Sequence, residues 1–123
     1  MGIKILIVDD HQIMRSMITN MLKSNGGYTF VEASNGQQAL EILRDDPEIR
    51  LILCDVNMPE MDGVQFLDER KSISDHANTP VMMITSERGK DLIDKCKEKG
   101  VETWITKPFK KEDLIEAVAV ALY

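Results

Sequence analysis

The sequence predicts an α/β fold built on one parallel sheet, and three observations lead there. Strand-like apolar runs alternate with helical patterns five times along 123 residues. The run Leu51-Ile52-Leu53-Cys54 is apolar throughout, as in a strand buried on both faces. Four of the five runs lead directly into polar residues: Asp9-Asp10, Asp55, Thr85-Ser86 and Lys107-Pro108. Such alternation implies right-handed crossovers with helices on both faces. Open sheets of this kind gather chemistry outside the carboxyl ends of their strands.

Taken in order, Ile3 to Val8 reads as the first strand. Ile13, Met14, Met17, Ile18, Met21 and Leu22 recur at helical spacing and predict an inward stripe on the first helix. Asn25-Gly26-Gly27 stops it. Tyr28 to Glu32 is a short second strand, rich in aromatic and β-branched residues. Ser34-Asn35-Gly36 opens a second helix with Ala39, Leu40, Ile42 and Leu43 inward, and Asp45-Asp46-Pro47 breaks it. Leu51 to Cys54 is the third strand. After Pro59, a third helix carries Val64, Phe66 and Leu67 and frays into a polar loop, Ser72 to Asn78. Val81 to Ile84 is the fourth strand. The fourth helix, Lys90 to Lys99, is mostly charged; only Leu92, Ile93 and Cys96 mark an inner face, which predicts weak anchoring. Gly100 closes it. Val101 to Thr106 holds the fifth strand, and the last helix buries Leu114, Ile115, Val118 and Leu122. Helices one and five should cover one face, and helices two, three and four the other. Order 2-1-3-4-5 is one common arrangement of such sheets and puts strands one and three at the switch point.

The bulk numbers fit a single compact domain. Hydrophobic residues make up 43% and charged residues 29%, enough for a core and a solvated surface. A formal net charge of −6 argues against direct nucleic-acid binding. No apolar run approaches the ~20 residues of a membrane span, and the N-terminus enters a strand pattern without the layout of a signal peptide. Two cysteines, Cys54 and Cys96, make neither a disulfide framework nor a metal cluster, and read as reduced thiols of a cytoplasmic protein. His11 and His76 read as solvent-facing.

The predicted topology brings Asp9, Asp10 and Asp55 to one crevice. Three close carboxylates repel and need a counter-charge. Mg2+ meets that need, binding a few carboxylate oxygens while keeping waters that a phosphoryl oxygen can replace. Lys107 supplies a point charge and Thr85 a hydroxyl donor. A carboxylate nucleophile beside these groups suits phosphoryl transfer, which needs mainly alignment and charge neutralisation. Each residue alone has a plainer reading: Asp55 or Asp9 as a helix cap, Thr85 as a turn hydroxyl, Lys107 as a surface lysine, Trp104 as a half-exposed anchor.

Val8-Asp9-Asp10, Leu53-Cys54-Asp55-Val56-Asn57-Met58-Pro59-Glu60-Met61-Asp62-Gly63, Ile84-Thr85-Ser86 and Lys107-Pro108-Phe109 together resemble the response-regulator receiver family of two-component signalling, of the chemotaxis-regulator (CheY) type. The resemblance spans the chain. It implies a flavodoxin-like (βα)5 sandwich of strand order 2-1-3-4-5, the order that CheY itself exemplifies. It implies that Asp55 accepts a phosphoryl group from the phosphohistidine of a sensor histidine kinase or a phosphotransfer protein. Asp10, Asp55 and the backbone carbonyl of Asn57 would bind Mg2+ directly, and Asp9 through metal-bound water. Thr85 and Lys107 would contact the phosphoryl oxygens, and the Lys107–Pro108 bond would be cis.

Two further positions add detail. Asn57 and Glu87, two residues past Asp55 and Thr85, would flank the path of an attacking water. The same pair in chemotaxis regulators accompanies rapid phosphate loss, so a short-lived phosphoryl state is expected. Trp104 departs from the family, where this position is usually Tyr or Phe and turns inward on activation. Indole is larger and carries a donor that wants a partner, which weakens the expectation of inward closure. The output face, helix four, strand five and helix five, would present Lys90, Lys95, Lys99, Trp104, Lys110 and Lys111. That locally basic surface suits an acidic segment of a downstream target protein.

The chain ends at Tyr123 without an output domain, so the expectation is a single receiver domain over 1–123, a phosphoacceptor that assists its own chemistry rather than a turnover enzyme. Active as monomer or phosphorylation-dependent dimer, it would signal through protein contacts. A carrier in a multistep phosphorelay and a phosphorylation-independent adaptor are the alternatives. An aspartate-nucleophile phosphatase would need an acid/base carboxylate where Asn57 stands. A flavin carrier would need a phosphate loop where Asp9-Asp10-His11 stands.

Overall fold

The computed structural model describes residues 2–86 and 90–123, without the Lys90 side chain; Glu87 and that side chain lie outside the described residues. The elements are β1 (Ile3–Val8), α1 (Gln12–Lys23), β2 (Tyr28–Ala33), α2 (Gly36–Asp45), β3 (Ile49–Asp55), α3 (Gly63–Arg70), β4 (Val81–Thr85), α4 (Lys90–Glu98), β5 (Thr103–Thr106) and α5 (Lys111–Leu122). The five strands are parallel, in the order β2-β1-β3-β4-β5. The predicted order therefore stands.

Alternation along each strand divides the core in two. Ile5 and Ile7 of β1, Leu51 and Leu53 of β3, and Met82 and Ile84 of β4 pack with Ile18 and Leu22 of α1 and Leu114 and Val118 of α5. Leu6, Val8, Ile52, Cys54, Val81 and Met83 face the other way. They meet Ala39, Leu40 and Leu43 of α2, Phe66 and Leu67 of α3, and Cys96 of α4. The helices thus divide between the faces as expected. On α5, Ile115 and Leu122 are half-buried and pack at the edge of the first layer.

Side-chain caps set two helix starts. Asn35 accepts a hydrogen bond from the backbone N–H of Gln38 at 2.8 Å, and Asp62 and Gln65 form a reciprocal capping box at 2.9 and 3.2 Å. At the end of α4, Gly100 takes φ +94°. Its N–H donates to Lys97 O, while the N–H of Val101 donates to Cys96 O. This glycine-terminated stop uses Val101, so β5 begins at Thr103 rather than at the predicted Val101. β3, by contrast, starts two residues earlier than predicted, because Ile49 is buried and pairs with Lys4 despite the exposed Arg50 between.

Two predictions of burial are corrected. The inward stripe of α1 is narrower than the spacing suggests: Ile13 is 85% exposed and Met17 36% exposed, because the helix turns only Ile18 and Leu22 fully to the sheet. His76 is not solvent-facing but 0% exposed. It sits in a short 3-10 turn (Ser74–His76), within the stretch predicted as a polar loop. One ring nitrogen lies 2.7 Å from Asp46 O and the other 2.9 Å from Thr79 Oγ1. The buried Arg70 guanidinium donates to the carbonyls of His76, Ala77 and Thr79 at 2.7 to 3.0 Å, fixing the same segment.

Candidate functional site

The carboxyl ends of β1, β3, β4 and β5 meet at one edge of the sheet. Asp9 follows β1, Asp55 ends β3, Thr85 ends β4 and Lys107 follows β5. All but Lys107 are buried: Asp9 is 1% exposed, Asp55 5% and Thr85 4%. The strand register puts them level. Val8 pairs with Cys54, Asp55 with Ile84, and Thr85 with Thr106, and the Lys107 N–H donates to Thr85 O at 2.8 Å.

Lys107 Nζ lies 3.3 Å from Asp55 Oδ2 and 3.4 Å from Asp9 Oδ2. Asp9 and Asp55 thus share one ammonium, which stands 98 positions after Asp9 in the chain. The other Asp55 oxygen, Oδ1, accepts the N–H of Asn57 at 3.1 Å. Burial raises the Asp55 carboxyl above its ordinary range, with the negative charge of Asp9 adding to the rise; the Lys107 ammonium and the Asn57 N–H pull the other way. Asp10 is half-buried, and its Oδ1 is buried without accepting a hydrogen bond.

The loop after β3 depends on a close approach at Gly63. A Cβ there would come within 2.9 Å of Val56 Cα and 3.1 Å of Asp55 O, so only glycine brings α3 against the loop after Asp55. The Gly63 N–H donates to Val56 O at 2.8 Å. Lys107–Pro108 is cis, as expected from the resemblance.

The structure therefore brings Asp9, Asp10, Asp55, Thr85 and Lys107 together at one edge, with exposed Asn57 beside them. It also adds His11, which the sequence reading set aside. Most of its side chain is exposed, as predicted, yet Nδ1 lies 3.1 Å from Asp10 Oδ1 and 3.3 Å from Asp9 Oδ1. The signal was adjacency, since the Asp9-Asp10 pair turns into α1 at His11. Cys54, next to Asp55, is fully buried, and burial together with the Asp55 and Asp9 charges pushes its thiol well up, which disfavours the thiolate.

On the α4–β5 side, Trp104 is half-buried against the second core layer, and Lys97 Nζ sits 5.1 Å from its ring centroid. Lys97 was not singled out in the sequence, because nothing in a charged helix tells which lysine meets the indole. Lys95 is exposed, whereas Lys99 reaches α3 and pairs with Asp68 at 2.6 Å. Behind Thr85, Val56, Met83, Leu92, Cys96 and Trp104 bound a small apolar space of about 10 Å³. A far larger cleft of about 610 Å³ lies at the opposite end of β4 and β5, beside Arg70 and Val101, and none of the acidic residues lines it.

Four groups, Asp9, Asp10, His11 and Asp55, offer ligand atoms within 4.8 Å of one another. The buried Asp10 oxygen, which accepts no hydrogen bond, and the two buried carboxylates fit a hard divalent cation: oxygen donors in excess of the nearby positive charge.

Comparison with known proteins agrees with this geometry. The response regulator receiver domain model matches residues 5–119. Chemotaxis protein CheY1 of Helicobacter pylori is 36% identical over 119 residues, 97% of this chain and 96% of that protein. Chemotaxis protein CheY of Bacillus subtilis is 36% identical over 119 residues, 96% of each chain. Among solved structures, chemotaxis protein CheY4 of Vibrio cholerae superposes with a TM-score of 0.92 at 31% identity, covering 99% of this chain and 100% of that one. The receiver domain of sensor histidine kinase PA1611 from Pseudomonas aeruginosa, described with a magnesium ion coordinated in its active site cleft, shares the fold at a TM-score of 0.87 and 24% identity, over 99% of this chain and 98% of its own. With its motifs at the matching strand ends and its sheet in the flavodoxin-like order, this chain belongs to the response regulator receiver domain family.

Proposed function

We propose that this protein is a phosphoryl switch of the chemotaxis type: Asp55 takes a phosphoryl group from the phosphohistidine of a sensor histidine kinase, and the α4–β5–α5 face then changes its affinity for a downstream protein. The observation that carries this reading is the Asp55 carboxylate, buried at the sheet edge with Lys107 on one oxygen and the Asn57 N–H on the other. The chemotaxis assignment leans on the CheY relatives, whose names describe that role.

In the transfer, an Asp55 oxygen attacks phosphorus, the bond from phosphorus to the imidazole nitrogen breaks, and its electron pair returns to the ring. Lys107 moves from bridging two carboxylates to neutralising the incoming phosphoryl oxygens, and the Thr85 hydroxyl donates to another of them. The Asn57 N–H keeps Asp55 oriented for attack. Mg2+, held by Asp10, Asp55 and the Asn57 carbonyl with Asp9 behind a bound water, would neutralise charge on both the acceptor and the transferring group. Asn57 and Glu87 are the residue types that accompany rapid phosphate loss in chemotaxis regulators, which favours a short-lived phosphoryl state.

The switch is a population shift: the phosphoryl group and cation bias an existing equilibrium of the output face. Trp104 lines the small space behind Thr85 together with Leu92 and Cys96, so in this scheme it reports the position of α4. The response is carried by α4 and by the lysines around it, a surface suited to an acidic peptide. The two buried thiols fit a reducing cytoplasm.

The test is incubation with Mg2+ and acetyl phosphate, read by intact mass. The wild-type chain should gain one phosphoryl group, and Asp55→Asn and Asp55→Ala none. Loss of the group within minutes supports the chemotaxis reading; persistence for hours would move the assignment to a carrier in a multistep relay. No mass gain at Asp55 rejects the switch.

A further inference from the structure

The acidic cluster holds more than carboxylates. Among the described residues there, His11 offers an imidazole nitrogen, and its backbone is tied to the cluster: the His11 N–H donates to Asp9 Oδ1 at 2.8 Å. The ring then lies over the cluster, with Nδ1 3.3 Å from Asp9 Oδ1 and 3.1 Å from Asp10 Oδ1. Lys107 takes the opposite oxygens, Oδ2 of Asp9 and of Asp55. The two basic groups therefore divide the cluster between them, and the His11 half contains the buried Asp10 oxygen that accepts no hydrogen bond.

We propose that His11 is a nitrogen ligand of the cation site, and that it gives the site a preference for borderline first-row divalent ions of the Co2+ and Zn2+ class over Mg2+. Adjacent ligands of an octahedral ion with bonds of about 2.1 Å lie about 3 Å apart, and the His11–Asp10 separation matches that edge. Imidazole suits Zn2+, Co2+ and Ni2+, whereas Mg2+ favours oxygen and retains water. With Mg2+ the ring stays a neighbour of the carboxylates; with a borderline ion it replaces one water. The side chain is 71% exposed, so the ring turns toward an ion without unpacking anything.

This inference rests on the cluster being a cation site, and the experiment separates the two. Purified chain, stripped with EDTA, is titrated calorimetrically with Co2+ and with Mg2+, as wild type, His11→Ala and His11→Gln, and the visible absorption of bound Co2+ is recorded. Both variants should lose at least about tenfold in Co2+ affinity while Mg2+ affinity changes by less than about threefold. The Co2+ spectrum should shift in both. The remaining histidine, His76, is buried and bonded to Asp46 and Thr79, so it does not supply the nitrogen. Equal losses for both ions, an unchanged Co2+ affinity, or an unchanged spectrum overturns the role of His11 and leaves the phosphoryl switch intact. Failure of the wild type to bind either ion overturns both.

Discussion

At the scale of single residues, Asp55 carries an energetic cost that its replacement should reveal. The Asp55 carboxyl is raised by burial, so the unfolded chain gives up this proton at a lower pH than the native chain. Between the two values the native state binds more protons, and stability falls as pH rises through that window; the whole penalty remains above it. Asp55→Asn removes the charge. In EDTA at neutral pH it should therefore unfold at a higher urea midpoint than the wild type, the two converging toward about pH 3, where both side chains are uncharged. Lys107→Ala should slow phosphoryl uptake by about 10²-fold, the cost of one removed charge-stabilising donor. It should at the same time tighten Mg2+ binding, because Asp9 and Asp55 lose their competing ammonium; rapid-quench incorporation and calorimetry read the two effects separately. These residues were legible in the sequence because each stands where an apolar run stops. His11 was not, since a histidine beside two aspartates has no pattern of its own, and the short distances that implicate it arise only once α1 starts.

At the scale of elements, the strands were readable and the helix faces less so. A parallel strand buried on both sides leaves a continuous apolar run, which β3 and β4 supply. α1 presents six apolar residues at helical spacing but buries two of them fully, because the spacing does not say how wide the sheet beneath is. β5 was over-extended because Val101 looks like a strand residue and instead closes the stop of α4. His76 was misplaced for a similar reason: Asp46, 30 residues earlier, is the partner that buries it. His76→Ala leaves Asp46 O and the Thr79 hydroxyl without their partner, and urea unfolding should show a loss of about 1–3 kcal/mol, with phosphoryl uptake at Asp55 unchanged. On α4, Lys97→Ala removes a cation–π contact of about 0.5–1 kcal/mol and should shift Trp104 emission. If α4 moves on activation with its lysine over the ring, the Trp104 response to acetyl phosphate in the wild type should shrink in this variant.

At the scale of the whole molecule, site and fold are one structure. The acidic residues follow β1 and end β3, and their counter-charge follows β5. A ligand at this edge should therefore stabilise the entire domain by mass action. Mg2+ with beryllofluoride should raise the melting temperature of the wild type by a few degrees or more, about 2.7 kcal/mol at a hundredfold excess over Kd. Asp55→Ala should show little of this, and EDTA should remove it; differential scanning fluorimetry is sufficient.

Lys107 enters the site 98 residues after Asp9, with Asp55 between. During translation, the acceptor and the acidic pair emerge well before the ammonium that completes them. Under the proposed function, a chain paused short of its last strand lacks the ammonium that neutralises the transferring group, so it should take up phosphate far more slowly than the finished domain.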